Sequence, residues 1–123
     1  MKENIKALVC DDSNVERVFL EKILHKMGYE VTTVQNGQEA LETIKKNHYD
    51  VVFMDIQVPV MDGYTATREI KKIDAAVPII AQTAHVMSGE REKCLEAGCD
   101  DYLAKPIRLQ ILMETLSKYL NNK

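Results

Sequence analysis

Apolar residues along the chain fall into two alternating kinds of segment. Short, nearly unbroken runs rich in β-branched and aromatic residues predict strands over about 5–10, 30–34, 50–54, 78–82 and 100–103. Between them, longer stretches repeat apolar residues at helical spacing and predict helices over about 13–27, 37–47, 63–73, 88–97 and 108–121. The punctuation agrees: Gly28 and Gly98 follow amphipathic segments, while Asn36-Gly37, Asp62-Gly63 and Ser88-Gly89 can open helices. Five strand–helix units in 123 residues predict a doubly wound α/β fold, a five-stranded parallel sheet with five helices on two faces. The run Val51-Val52-Phe53-Met54 has no polar break, so it reads as a central strand covered on both faces. Periodicity leaves the strand order open.

In the first helix, Phe19, Leu20, Ile23, Leu24 and Met27 cluster on one side and predict the core stripe. Val18 points almost opposite and Val15 lies at the margin, so both are expected to be partly exposed. In the last helix, Leu109, Leu112, Met113, Leu116 and Leu120 read mostly as core, while Ile111 and Tyr119 are not placed by spacing.

Strand ends carry the candidate chemistry, because open α/β folds bind ligands at the carboxyl edge of the sheet. The first strand ends at Asp11-Asp12, the third at Asp55, the fourth at Thr83-Ala84, and the fifth leads to Lys105-Pro106. Two like charges about 4 Å apart repel by roughly 4 kcal/mol at an effective dielectric of 20. Three carboxylates on one rim therefore need compensation that Lys105 alone does not supply. Either one of them is protonated or a cation joins them, and hard oxygen donors select Mg²⁺, with Mn²⁺ as an alternative. Helix capping by Asp11 or Asp12 would explain one carboxylate but not the meeting with Asp55 and Lys105.

Composition narrows the classes further. The net charge is −3 and no basic stripe marks a nucleic-acid surface. No apolar stretch approaches the roughly 20 residues of a membrane span, and no leader is visible, so a cytoplasmic setting is expected. Three cysteines without a C-x-x-C pair are expected to be reduced thiols. A single domain over 1–123 is expected, with a frayed tail at Asn121-Asn122-Lys123.

Four segments taken together resemble the receiver domains of two-component response regulators. They are Cys10-Asp11-Asp12-Ser13, Met54 through Gly63, Gln82-Thr83-Ala84-His85, and Asp101-Tyr102-Leu103-Ala104-Lys105-Pro106-Ile107. Each alone is weak, but together they occur in order, at the family's spacing, along the whole chain. The stretches Thr83 to Arg91 and Asp100 to Leu103 resemble receivers attached to hybrid sensor histidine kinases in particular.

The resemblance implies the flavodoxin-like strand order 2-1-3-4-5. It also implies a phosphoacceptor signalling module rather than an enzyme acting on other substrates. Asp55 would accept the phosphoryl group from a histidine kinase or a histidine-containing phosphotransfer domain. Asp11, Asp12, Asp55 and the Gln57 backbone carbonyl would hold Mg²⁺. Lys105, Thr83 and Ala84 would bind the phosphoryl oxygens, and Thr83 with Tyr102 would switch the surface of the fourth helix, fifth strand and fifth helix. The Lys105-Pro106 bond would be cis. Val15, Val18 and Pro106 are expected to receive the partner's helix, and the protein would be a monomer or a weak, phosphorylation-dependent dimer. Two other classes fit worse. An aspartyl-phosphate hydrolase of the D-x-D type would carry Asp where Gln57 stands, and the phosphate-binding patterns G-x-x-x-x-G-K and G-x-G-x-x-G are missing.

Overall fold

A computed structural model of the chain describes residues 5–56, 60–83 and 89–120. Gln57, Ala84, His85, Ser88 and the 121–123 tail lie outside the described residues. The strands are β1 (Lys6–Cys10), β2 (Glu30–Val34), β3 (Val51–Asp55), β4 (Ile79–Thr83) and β5 (Asp101–Ala104). The helices are α1 (Asn14–Lys26), α2 (Gly37–Lys46), α3 (Gly63–Ile73), α4 (Glu90–Ala97) and α5 (Leu109–Tyr119). The strands pair in parallel in the order β2-β1-β3-β4-β5. β3 is therefore central, and every one of its residues is buried, as its unbroken apolar run predicts.

Alternation along the strands divides the core in two. Leu8, Val52, Met54, Ile79 and Ala81 pack with Ala40, Leu41, Ala66 and Ile70, so α2, α3 and α4 cover one face. Ala7, Val9, Phe53, Ile80 and Leu103 pack with Leu20, Leu24, Leu112 and Leu116, so α1 and α5 cover the other. The helix starts follow the capping chemistry of the sequence: Asn36 accepts from the Glu39 N–H at 2.9 Å and Asp62 from the Thr65 N–H at 2.8 Å. α4 ends at Gly98 with φ +109, a left-handed conformation that glycine adopts without a Cβ clash.

Three expected core residues are not in the core. Phe19, Leu109 and Met113 are 47%, 55% and 45% exposed. The buried stripe of α1 is narrower than its apolar content, centred on Leu20 and Leu24, and Phe19 lies four residues after Val15 on the flank facing Lys105, Pro106 and Ile107. In α5 the stripe runs through Leu112 and Leu116, which turns Leu109 and Met113 outward. Tyr119, unplaced by spacing, donates its hydroxyl to the Asp100 carbonyl at 2.9 Å.

Candidate functional site

Side-chain direction in a strand alternates, and this places the acids. Asp55 continues the Val51, Phe53 set and Asp11 continues the Ala7, Val9 set, so both extend from the α1/α5 face. The strand ends stay in register, with Cys10 beside Met54 and Asp55 beside Gln82. Asp11 and Asp55 are buried and Asp12 is exposed, and oxygens of all three lie within 4.8 Å of one another. Such a set of hard oxygen donors fits a metal ion of the magnesium type.

Neither Asp11 nor Asp12 caps α1. Ser13 does, accepting from the Glu16 N–H at 3.4 Å, while Asp11 Oδ1 accepts from the Ser13 N–H at 2.9 Å. Arg17 donates to the Asp11 carbonyl at 2.9 Å and fixes the turn from the other side.

Lys105 closes the cluster. Its Nζ lies 3.0 Å from Asp55 Oδ2, 3.2 Å from Asp11 Oδ2 and 2.6 Å from Glu16 Oε1. Burial works against the ammonium's charge, but the Glu16, Asp55 and Asp11 carboxylates outweigh it and hold the lysine above its ordinary pKa. The Lys105-Pro106 peptide is cis, as the motif implies. The buried Cys10 thiol is pushed up to about 12, first by burial and then by Asp55 and Asp11, so it is neutral at physiological pH.

Backbone contacts set the height of Asp55. A Cβ at Gly63 would lie 2.6 Å from the Asp55 carbonyl oxygen and 2.7 Å from Ile56 Cα. The start of α3 therefore presses directly on the strand end, and the Gly63 N–H donates to the Ile56 carbonyl at 3.0 Å. In the same loop Val60 holds φ +69, a conformation that costs a β-branched residue on the order of 1 kcal/mol.

Thr83 is buried at the end of β4, and Tyr102 is partly buried on β5 with the Arg91 guanidinium 6.0 Å from its ring centroid. Tyr102 pairs in register with Ala81, so Thr83 and Tyr102 emerge from neighbouring strands toward the α4 side. Val15 and Val18 are 80% and 42% exposed, as expected. A groove of about 340 Å³ lies beside them, lined by Val15, Glu16, Phe19, Gln82, Lys105, Pro106 and Ile107. Val18 does not line it. Gln82 is buried, and its Nε2 has no hydrogen-bond partner among the described residues.

The sequence reading did not single out Glu16. An acid in the first helical turn is explained well enough by the helix dipole, and only the fold brings Lys105 against it. Phe19 had a legible signal: its four-residue spacing from exposed Val15 groups it with the groove.

Comparison with known proteins agrees with this geometry. The family model of response regulator receiver domains matches residues 7–117, and the chain belongs to that family, whose members act in two-component and phosphorelay systems. Among the relatives, the sensor histidine kinase RcsC of Escherichia coli K12 is 37% identical over 117 residues. That match covers 95% of this chain but 12% of the kinase, so the chain spans about an eighth of the relative's length. The receiver domain of the sensor histidine kinase PA1611 from Pseudomonas aeruginosa PAO1, whose structure holds magnesium in the active-site cleft, is 40% identical. It superposes with a TM-score of 0.90 over 97% of this chain and 99% of its own. The Saccharomyces cerevisiae Ssk1 receiver, crystallised with the histidine phosphotransfer protein Ypd1, is 28% identical, with a TM-score of 0.88 over 97% of this chain and 90% of that one.

Proposed function

We propose that Asp55 accepts a phosphoryl group from a phosphohistidine and returns it by transfer or hydrolysis, with Mg²⁺ bound by Asp11, Asp12, Asp55 and the Gln57 carbonyl. The observation that carries this reading is the Lys105 ammonium facing Asp55 inside a cluster of three carboxylates. As an Asp55 oxygen bonds to phosphorus, the P–N bond to the donor imidazole breaks and its electron pair stays on that nitrogen. The transition state is loose, so catalysis consists of positioning and charge stabilisation on the equatorial oxygens. Lys105 supplies one positive charge there, Thr83 and Ala84 hold the phosphoryl oxygens, and the bound Mg²⁺ supplies Lewis-acid stabilisation.

The new charge draws the Thr83 hydroxyl inward and gives Tyr102 room to turn, which re-sets the α4-β5-α5 surface. Exposed Leu95, Ile111 and Met113 on α4 and α5 suit an output surface of that kind. The donor is a histidine-bearing helix of a kinase or phosphotransfer domain. Its seat is the groove bounded by Val15, Phe19, Pro106 and Ile107, which adjoins the acceptor through Lys105. A buried donor without a partner costs about 1–3 kcal/mol, and a carbonyl of the docked helix would satisfy Gln82.

Acetyl phosphate with Mg²⁺ should add the mass of one phosphoryl group to the wild-type protein and none to Asp55→Asn. An unchanged wild-type mass, or an addition that survives the substitution, sinks the proposal.

A further inference from the structure

We propose that Glu16 is a positioning residue of this site: it retains the Lys105 ammonium before phosphorylation, and its charge slows the arrival of anionic phosphoryl donors. The inference rests on the reading of Asp55 as the phosphoacceptor.

An ammonium has three N–H donors, and three carboxylates lie within ion-pair distance of this one. Glu16 makes the shortest contact, at 2.6 Å. An incoming phosphoryl oxygen therefore cannot reach Lys105 unless one of the three lets go. Asp11 is poorly placed to do so, since its side chain is 1% exposed and its other oxygen accepts from the Ser13 N–H. Asp55 carries the phosphoryl group itself. Glu16 remains: its side chain is 44% exposed, on the solvent side of a lysine that is 11% exposed. The first turn of α1 holds it there, its own N–H bonded to Ser13 Oγ.

Charge points the same way. Asp11, Asp12 and Asp55 carry three negative charges, which Lys105 and one divalent cation balance. Glu16 adds a fourth, in excess of what Lys105 and one divalent cation balance. Transfer from acetyl phosphate forms the Asp55 O–P bond, breaks the donor's P–O bond and releases acetate. The carboxylate, with one negative charge, becomes an acyl phosphate with two. An ionised Glu16 makes both the approach of a dianionic donor and this added charge less favourable.

The test compares the wild type with Glu16→Gln, which keeps the size and one acceptor but removes the charge. At saturating Mg²⁺, phosphorylation by acetyl phosphate should be about threefold faster or more in the variant, since about 0.65 kcal/mol of barrier is a threefold rate. With phosphoramidate, whose net charge at neutral pH is one unit less negative, the gain should be clearly smaller. A merely structural role would not distinguish the two donors. In magnesium-free protein the Lys105 ammonium signal should be protected from solvent exchange and lost in Glu16→Gln, while that of Lys71, bonded on the far edge of the sheet, stays unchanged. Equal or slower phosphorylation of the variant overturns the proposal, as does a gain of the same size with both donors. A Lys105 signal that persists in the variant overturns the retention. A wild type that takes up no phosphoryl group instead condemns the underlying reading, so the two failures are told apart.

Discussion

Aspartate and lysine meet at both ends of the sheet, with opposite results. At the amino edge, Asp100 accepts from the Ile79 N–H and from Lys71 Nζ, each at 2.8 Å, and Lys71 also donates to the Val77 carbonyl at 2.8 Å. Asp50 accepts from the Lys6 N–H at 2.8 Å. These acids tie down backbone at strand starts, and Asp100 is matched by one cation. At the carboxyl edge, Asp11, Asp55 and Glu16 share Lys105, Asp12 stands beside Asp11 and Asp55, and the Ser13 N–H donates to buried Asp11. Carboxylates that anchor backbone and pair one to one hold the fold. Carboxylates in excess, gathered round one cation, are a place for a ligand to bind.

Exchanging the properties of the two edges breaks the comparison. Asp100→Ala should lower stability by about 2 kcal/mol, the cost of stripping a lysine contact and a backbone hydrogen bond from the start of β4. Urea unfolding measures this, and acetyl phosphate labelling of the folded variant should proceed at the wild-type rate. A stable Asp100→Ala, or one that folds but is not labelled, would erase the distinction between the edges. Val15→Glu puts a charge at the mouth of the groove and should slow transfer from the cognate histidine partner by about tenfold, roughly 1.4 kcal/mol. Labelling by acetyl phosphate should barely change, and equal transfer rates would remove the groove from the docking surface.

An effect confined to alkaline pH belongs to Cys99, the neighbour of Asp100. Burial, the largest cause, pushes its thiol from the ordinary 9.0 up to about 12. Between those values the unfolded chain loses the proton and the folded one keeps it. This contribution is therefore whole below about pH 9 and fades as pH rises toward 12, by up to about 1.4 kcal/mol per pH unit. Denaturant titrations across that window should show a shallower decline for Cys99→Ala than for the wild type, and identical slopes would refute the assignment.

Much of this contrast is legible in the sequence. Strand runs, helix starts at Asn36 and Asp62, and the central place of Val51–Asp55 follow from period and capping, which are local. Asp11, Asp12, Asp55 and Lys105 follow from one rule, that strand ends share an edge. Strand order came only from the motif resemblance, since parallel pairing leaves no local mark. Phe19, Leu109 and Met113 were misplaced because apolar content overstates the width of a buried stripe. Glu16 was passed over because its contact with Lys105 spans 89 positions of chain and exists only once α1 has packed onto the sheet.

The bare Cα of Gly63 carries one last implication. With the Asp55 carbonyl and Ile56 Cα resting against it, helix and strand meet like a bolt against its stop, leaving no slack for a methyl group. The reach of the Asp55 carboxylate is thus machined chiefly by main-chain atoms, and a single added carbon at that position would move it without touching any charge.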